Sequence, residues 1–341
     1  TGGLVSIGTV KAQLLYEISS AAYINPDVIA HFDTMSIEQR GDDRVYVSGC
    51  RGSSPPDTHK VCINTAGGFR NSMEMLLTGL DIEEKATMFT DTLFRSVGGQ
   101  DQFDDVTIQL IRNDKEDPKT NEEAYARLRI NVKSSNPALV GRIFSAKVIE
   151  LALASFPGFG SSSAGAGGAY ISYWPALVDS KHITETVHMD GQSIEIQPTN
   201  QLNLEAIYYQ KMPVTIPECP QGETVKIPFG RLFGTRSGDK GGNANVGIWA
   251  KTPEAFGFLH GFLTVDKFKE LLSDTAEFEI ERFELPNLHA LNFYIHGILG
   301  EGVSSSVRID GQAKTMGEYL RAKMIHVPRV LAEQLTTDIA R

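Results

Sequence analysis

The spacing of apolar residues predicts several amphipathic helices. Ile82, Ala86, Phe89 and Leu93 recur every three or four residues, behind Asp81 as a candidate N-cap with Glu84 as its capping-box partner. Asn136-Pro137 and Thr252-Pro253 place a cap before a proline at the first helical position, which favours a helix start. Further helices are predicted from Thr9 to Ile18, from Thr264 to Leu272 and after Thr315, which has Glu318 three residues later.

Strands are predicted between these helices. The segments from Met35 to Gln39 and from Arg44 to Ser48 flank Gly41-Asp42-Asp43, a hairpin signal. Gly67-Gly68 is expected to divide a long apolar stretch into two strands. The other predicted strands are residues 106–111, 124–132, 170–173, 231–233, 246–250, 278–283 and 291–295.

This order of elements predicts an α+β fold with two domains. After residue 220, two strands, helices, two more strands and a final helix make a small α/β sandwich. The segment from Met212 to Thr224 contains three prolines and one glycine, which is typical of a linker. We therefore expect domains at residues 1–219 and 220–341.

Composition narrows the function classes. The formal net charge of the 341 residues is −10, which argues against nucleic acid as a partner. Three widely spaced cysteines fit a reducing compartment better than a disulfide framework. No apolar run reaches the ~18 residues that a membrane helix needs. We predict a cytoplasmic protein that binds neither membrane nor metal.

The run from Thr235 to Gly247 is the most informative stretch of the chain. It holds four glycines, an adjacent Asp–Lys pair and two asparagines between apolar segments, so it is predicted to be a glycine-rich loop. It matches neither the phosphate-binding nor the dinucleotide-binding glycine pattern. A tight loop with a solvated ion pair and a ligand site are both consistent with it.

If the run is a site, each residue type has a chemical role. Asp239 and Lys240 would be the catalytic acid–base pair if burial tunes them towards proton transfer, although on an extended backbone they would face opposite ways. Asn243 and Asn245 could polarise a substrate carbonyl. Ser237 is a weaker candidate nucleophile. The remaining candidates for substrate binding are Gly238, Gly241, Gly242, Asn287 and Glu301, and a hairpin turn is the equal alternative for Glu301.

Other conspicuous residues fit structural roles better. The stretch from Gly158 to Gly168 could cradle a phosphate, but a mobile surface loop is the favoured interpretation. His182 and His188 would lie ~20 Å apart on one strand, too far for joint metal ligation. His289 and His296 are expected to be partly buried residues rather than catalytic bases.

Four stretches resemble the acyclic terpene utilisation A family. The run Thr235–Gly247 is similar to the signature of its C-terminal ferredoxin-like domain. Residues 283–293 and 299–303 are similar to that family's sequence at the corresponding positions. Residues 2–18 are similar to the latter half of its larger N-terminal domain, so we expect residues 1–219 to lack that domain's front. The resemblance implies degradation of terpenoid and branched acyl-CoA compounds, without an assigned reaction.

Two classes of function follow. One is an enzyme, a lyase, hydratase or hydrolase, acting by acid–base chemistry on a small-molecule carboxylic acid or coenzyme A thioester, with no cofactor expected. The other is a non-catalytic oligomeric accessory protein. Short polar residues in the glycine-rich run favour the enzyme, since interfaces prefer Tyr, Trp, Met and Arg. The apolar strands also predict a homo-oligomer that shields its sheet edges.

Overall fold

The computed structural model describes residues 2–154, 156–161, 165–196 and 215–338. Two compact units emerge from it: residues 64–172 form one, and residues 1–63 together with 173–341 form the other. Each unit combines helices with antiparallel strands, so the chain is an α+β protein as predicted. The border between sequence domains near residue 220 stays a prediction, and residues 197–214 lie outside the described part.

The helices and strands follow one another along the whole described chain. The helices are α1 (Ile7–Leu14), α2 (Ile82–Ser96), α3 (Phe144–Ala154), α4 (Pro253–Phe262), α5 (Val265–Leu271), α6 (Met316–Arg321) and α7 (Arg329–Asp338). The strands are β1 (Ala22–Ile24), β2 (Ile29–His31), β3 (Ser36–Gln39), β4 (Val45–Ser48), β5 (Arg51–Ser53), β6 (Thr58–Thr78), β7 (Asp105–Ile111), β8 (Tyr125–Ser134), β9 (Phe159–Ser161), β10 (Gly168–Asp179), β11 (Glu185–Met189), β12 (Gln192–Ile196), β13 (Thr224–Pro228), β14 (Phe233–Lys240), β15 (Asn243–Ala250), β16 (Ile280–Leu285), β17 (Ala290–Ile295) and β18 (Met324–Pro328).

The unit of residues 64–172 is built on an antiparallel sheet with strand order β10-β6-β8-β7. Alternate residues of β8 are buried because its inward face packs under α2 and α3. Met75, Phe89, Leu128 and Phe144 are fully or almost fully buried in this core. The core is thus the alternating face of a sheet closed by two amphipathic helices.

The second unit contains a four-stranded antiparallel sheet with order β14-β15-β17-β16. Val246, Ile248, Leu291 and Phe293 point from its central strands into a hydrophobic core with the helices. Thr252 caps α4, accepting a hydrogen bond from the Ala255 N–H, and Thr264 caps α5 in the same way, from Lys267. The predicted order of two strands, helices, two strands and a helix is confirmed.

The opposite face of this sheet is polar and is covered by chain from the N-terminal part. Asn245 and Asn292, both fully buried, donate to the main-chain oxygens of Leu15 and Ser19 at 2.8 and 2.7 Å. Gly247 allows this approach, because a Cβ there would lie 2.5 Å from the Cβ of Leu15. A short segment of backbone is therefore held against the sheet by asparagine side chains.

The structure corrects the predicted loop from Thr235 to Gly247. Most of that run is strand: β14 ends at Lys240, β15 begins at Asn243, and these two residues are cross-strand partners. Only Gly241 and Gly242 form the turn, where Gly241 has φ +66°. The alternation of strand residues explains why this region does not behave as a loop: successive side chains serve opposite faces.

Smaller expectations also change. Gly67-Gly68 does not divide the chain into two strands, because β6 runs continuously through both residues. Asp81 is left-handed with φ 57° and makes no side-chain cap, although α2 begins where predicted. Thr315 likewise makes no cap to α6; its hydroxyl donates to Asp310 at 2.7 Å. Helices α2 and α6 therefore form at the predicted positions without the predicted side-chain caps, which agrees with apolar spacing as the stronger signal.

Within the described ranges, none of the helices has the length and apolar character to cross a membrane.

Candidate functional site

A cavity of about 480 Å³ opens beside the β14–β15 turn. This volume suits a small organic ligand, since such sites occupy about 300–1,000 Å³. Its lining residues come from six separate stretches of the second unit. They are Ser19, Tyr23, Ile24, Lys60, Tyr173, Pro175, Ala176, Leu177, Lys240, Gly242, Asn243 and Tyr294.

The two-glycine turn fixes the positions of Lys240 and Asn243 at the cavity. The N–H of Leu299 donates to the Gly242 carbonyl oxygen at 2.9 Å. A Cβ on Gly242 would lie 2.0 Å from the Gly300 carbonyl oxygen, so no other residue fits there without movement of the backbone. The glycines thus hold the turn tightly, and the two flanking polar side chains remain at the cavity wall.

The cationic end of the cavity is formed by Lys60 and Lys240. Burial lowers the pKa of Lys240, and the nearby charge of Lys60 lowers it further, while Glu17 acts weakly in the opposite direction. Among the described residues, neither lysine has a carboxylate within 4 Å. Two uncompensated positive charges in a chain of net charge −10 make this end attractive to an anion.

Asn243 orients Tyr294 at the same end. The Asn243 oxygen accepts from the Gly297 N–H at 2.7 Å, which fixes the amide so that its nitrogen donates to the Tyr294 hydroxyl at 2.8 Å. Burial raises the pKa of Tyr294, although the hydrogen bond from Asn243 opposes this. The hydroxyl therefore keeps its proton and, having accepted one hydrogen bond, can donate its own to a ligand.

Tyr173 closes the cavity from β10. Its main-chain N–H donates to the Glu301 carbonyl oxygen at 2.9 Å, and its hydroxyl lies 3.5 Å from the Cys62 sulfur. Burial, and then Cys62, raise the pKa of Tyr173 to about 12. Tyr173 is thus a hydrogen-bond donor at neutral pH.

The other wall of the cavity is apolar. Ile24 is 62% exposed and Leu177 is 72% exposed, so both aliphatic side chains are accessible at the cavity. Pro175 and Ala176 add to the apolar lining, and the centre of the Tyr23 ring lies 5.6 Å from the Lys240 ammonium. The cavity therefore combines a cationic, hydrogen-bonding end with an apolar side, which fits an amphipathic anion.

Asp239 does not form a pair with Lys240. The two residues point to opposite faces of β14, and Asp239 makes an ion pair with Lys314 at 3.0 Å. Lys314 also contacts Glu17 and the hydroxyl of Tyr16. Burial alone would lower the pKa of Lys314, but its hydrogen bonds to Glu17, Tyr16 and Asp239 outweigh this and hold that pKa well above its usual range.

Other predicted site residues serve the fold. Ser237 is 3% exposed and accepts from the Gly317 N–H at 2.9 Å, so its hydroxyl supports α6. Asn245 is fully buried; its oxygen accepts from Glu17 at 3.0 Å and its nitrogen donates to Asn292 at 2.8 Å. Gly238 is buried, and a Cβ there would lie 2.8 Å from the Glu17 side chain. The structure brings only Lys240, Gly242 and Asn243 together at the cavity.

Two later candidates also lie away from the polar end. The Asn287 amide donates to the carbonyl oxygens of Phe32 and Met35, both at 2.9 Å, which ties two chain segments together. Glu301 reaches Tyr173 through its main-chain oxygen, and its side chain is exposed. Gly241 takes part in the turn, where a Cβ would lie 2.6 Å from the Tyr173 ring.

Histidines do not gather at this site. Burial lowers the pKa of His289, whose ring stacks on Phe256 at 5.6 Å, and His296 lies 2.7 Å from Glu281. His188 contacts Ser193 at 2.7 Å. Within the described part of the chain, no group of three or more His, Cys, Asp or Glu side chains could hold a metal ion.

The stretch from Gly158 to Gly168 is only partly described. Residues 159–161 form β9, a short strand that pairs with β6, in place of the loop expected there. Residues 162–164 lie outside the described part, so the predicted mobile loop is not decided for them.

Sequence reasoning missed the cavity residues Lys60, Tyr173 and Tyr294. Each stands in a strand pattern with no glycine-rich run or recognisable spacing around it. Tyr294 was closest to detection, because it directly follows the family-like stretch of residues 283–293. The pairing of β17 with β15 would have placed Tyr294 beside the glycine-rich run.

Comparisons with known proteins extend over most of the chain. The model of the acyclic terpene utilisation family protein AtuA matches residues 1–189. The model of the AtuA ferredoxin-like domain matches residues 227–326, which include β14 to β17. No curated protein and no solved structure matches the chain.

Proposed function

This chain belongs to the acyclic terpene utilisation A family, and on that premise we propose that its cavity binds a branched, apolar acyl group with a carboxylate or thioester head. Terpenoid and branched acids have this amphipathic form. The observation that carries the proposal is the juxtaposition of Lys60 and Lys240 with an aliphatic wall that includes Ile24 and Leu177.

The head of such a ligand would contact the polar end. Lys240 and Lys60 would compensate a carboxylate charge, and the Tyr294 hydroxyl would donate to a carboxylate or thioester oxygen. This gives to Tyr294 the polarising role that the sequence suggested for the asparagines, with Asn243 as its positioning residue.

Proton transfer at the ligand would involve Lys240. A lysine whose pKa is lowered by burial supplies a larger fraction of neutral amine at neutral pH, and so can accept a proton from a carbon next to a thioester carbonyl. Asp239 would act only through Lys314, since these two are paired with each other. The proposed enzyme is thus a lyase, hydratase or hydrolase with Lys240 as its base.

Isothermal titration with isovaleryl-CoA, isovalerate and hexanoate tests the binding. We expect Lys240→Met to weaken binding about 10- to 100-fold, because a hydrogen bond to a charged group contributes about 1.5–3 kcal/mol. Lys226→Met, an exposed lysine on β13, is the matched control and should bind as wild type. Equal, weak binding of all three ligands to both variants would contradict the proposal.

A second candidate function rests on the hairpin of β11 and β12. Its cross-strand register places Val187, Met189, Ile194 and Ile196 on one face, and these side chains are 40–59% exposed. An isolated two-stranded hairpin is marginally stable in water, and an exposed apolar face favours an interface. This face supports a homo-oligomer, and with it the alternative of an accessory or assembly protein.

Light scattering on the chain at micromolar concentration tests whether the chain self-associates through this hairpin face. We expect a defined oligomer for the wild type and a shift towards monomer for Val187→Glu with Ile194→Lys, while Thr186→Glu on the opposite face leaves the mass unchanged. A monomeric wild type would contradict the self-association.

A further inference from the structure

We propose that Tyr173 and Tyr294 together form an oxyanion site for the enolate of a bound acyl thioester, so that the chain removes a proton from the α-carbon of the acyl group. This rests on the proposed function for the ligand class and for Lys240 as the base. It assigns a second hydrogen-bond donor, Tyr173, and narrows the choice of lyase, hydratase or hydrolase to chemistry that passes through an enolate.

Both tyrosines line the cavity beside the β14–β15 turn. The Tyr173 ring packs against the turn itself, since a Cβ on Gly241 would lie 2.6 Å from the Cε1 atom of that ring. Gly302 flanks the same residue, because a Cβ there would lie 3.0 Å from the Tyr173 Cβ. Two glycines with positive φ therefore make room for Tyr173 against the turn that follows Lys240.

Each tyrosine hydroxyl has a neighbour that can donate to its oxygen. The Asn243 amide nitrogen donates to the Tyr294 oxygen at 2.8 Å. The Cys62 sulfur lies 3.5 Å from the Tyr173 oxygen, and its S–H can donate to that oxygen in the same way. A phenol whose oxygen has accepted one hydrogen bond keeps its own O–H for another acceptor. Both hydroxyl protons are therefore left for a ligand oxygen in the cavity.

The surroundings keep both phenols protonated at neutral pH. Burial, then Cys62 and then the neighbouring Tyr294, raise the pKa of Tyr173 to about 12. Burial also raises the pKa of Tyr294, against the hydrogen bond from Asn243. The influence of Tyr294 on Tyr173 means that the two hydroxyls are within electrostatic range of each other. Two such donors in one partly buried cavity are suited to stabilise a developing oxyanion.

The step balances without an oxidant or reductant. The neutral amine of Lys240 takes a proton from the α-carbon, so a C–H bond breaks and an N–H bond forms. The electron pair of the C–H bond forms the C=C bond of the enolate, and the negative charge moves to the carbonyl oxygen, where the two tyrosine hydroxyls donate. Reversal returns a proton to the α-carbon. Because the Lys240 ammonium exchanges its protons with water before reversal, hydrogen from the solvent enters the α-position.

The test is deuterium uptake by isovaleryl-CoA when the whole chain is incubated with it in heavy water. We expect the wild type to exchange α-hydrogen for deuterium, read by mass spectrometry of the recovered ester. Tyr173→Phe and Tyr294→Phe should each slow the exchange about 100-fold or more, the usual loss for one oxyanion donor. Tyr46→Phe, which changes an exposed tyrosine of β4 outside the cavity lining, is the matched control and should exchange at the wild-type rate.

Titration calorimetry with pivaloyl-CoA separates this inference from the proposed function, because that branched thioester has no α-hydrogen. If pivaloyl-CoA binds and isovaleryl-CoA takes up no deuterium, the enolate assignment is overturned and the binding proposal stands. If neither ester binds, both are overturned. Wild-type exchange by Tyr173→Phe would overturn the paired site. So would a loss of pivaloyl-CoA binding as large as the loss of exchange, which would show a structural role. Release of coenzyme A thiol without deuterium uptake would show hydrolysis and also overturn the inference.

Discussion

Two lysines near strand β14 have opposite surroundings. Lys314 contacts Glu17, Asp239 and Tyr16, and its pKa is raised. The Lys240 ammonium lies 5.6 Å from the centre of the Tyr23 ring, and burial, followed by the charge of Lys60, lowers its pKa. One ammonium group is compensated within the fold, and the other has no carboxylate within 4 Å among the described residues. Two lysines of one sheet region therefore differ in charge compensation although their residue type is the same, and this difference is why we propose Lys240 as the binding one.

We expect the largest loss of stability from Asn245, the residue of β15 whose side chain binds the main chain of Leu15 and Glu17. Asn245→Ala removes the hydrogen-bond partner of three groups around a fully buried position. These groups are the Leu15 carbonyl oxygen, the Glu17 main-chain N–H and the Asn292 side-chain oxygen. Each buried polar group left without a partner costs about 1–3 kcal/mol, so we expect a loss of about 3 kcal/mol or more in the free energy of unfolding. Urea denaturation measures it, with Asn243→Ala as the half-buried comparison. A wild-type midpoint for Asn245→Ala would contradict this role.

Lys314→Met should have a smaller effect on stability. The variant leaves Glu17 and Asp239 without their cation, but all three side chains are 26–36% exposed, so we expect a cost of at most about 1 kcal/mol for each of the two ion pairs. Lys240→Met, the same change on the uncompensated lysine, should shift the unfolding midpoint by less. The comparison breaks if the two variants lose equal stability.

The effect of Lys314 should depend on pH in a defined direction. Burial by itself raises the pKa of Glu17, but hydrogen bonds from Lys314 and Tyr16 and the charge of Lys314 outweigh this and lower it. A lowered carboxyl pKa contributes stability above its unfolded pKa, and this is lost as pH falls through the folded value. The difference between wild type and Lys314→Met should therefore shrink between pH 6 and pH 3 (about the range of a carboxyl group). An unchanged difference would contradict the Glu17 pairing.

The smallest expected effect is the pH dependence of ligand binding. Because the pKa of Lys240 is lowered, its positive charge disappears at lower pH than that of an ordinary lysine, and the affinity for isovalerate should fall as pH rises through that value. Lys240→Arg, which stays protonated, should bind with little change over the same interval. Titration calorimetry between pH 7 and pH 10 measures it, and parallel curves would exclude Lys240 as the titrating group.

Much of the fold could be predicted from local patterns. The apolar spacing of α2 and the caps at Thr252 and Thr264 depend on neighbours a few residues away, and these predictions agree with the structure. Lys240 could also be predicted as a candidate site residue from sequence, because glycines around a charged side chain are a local signal. The caps at Asp81 and Thr315 were wrong, since a cap needs a particular backbone conformation that residue type does not guarantee.

The α+β order of elements and the family could be read from the sequence alone, as could three of the cavity residues, Lys240, Gly242 and Asn243. Two facts required the tertiary structure. Asp239 pairs with Lys314, 75 positions later, and Lys60, Tyr173 and Tyr294 line the same cavity as Lys240. Strand alternation tells which side a residue takes, but not which distant strand or loop faces it. Charge compensation is a property of those long-range contacts, so only the structure could separate the paired Lys314 from the unpaired Lys240.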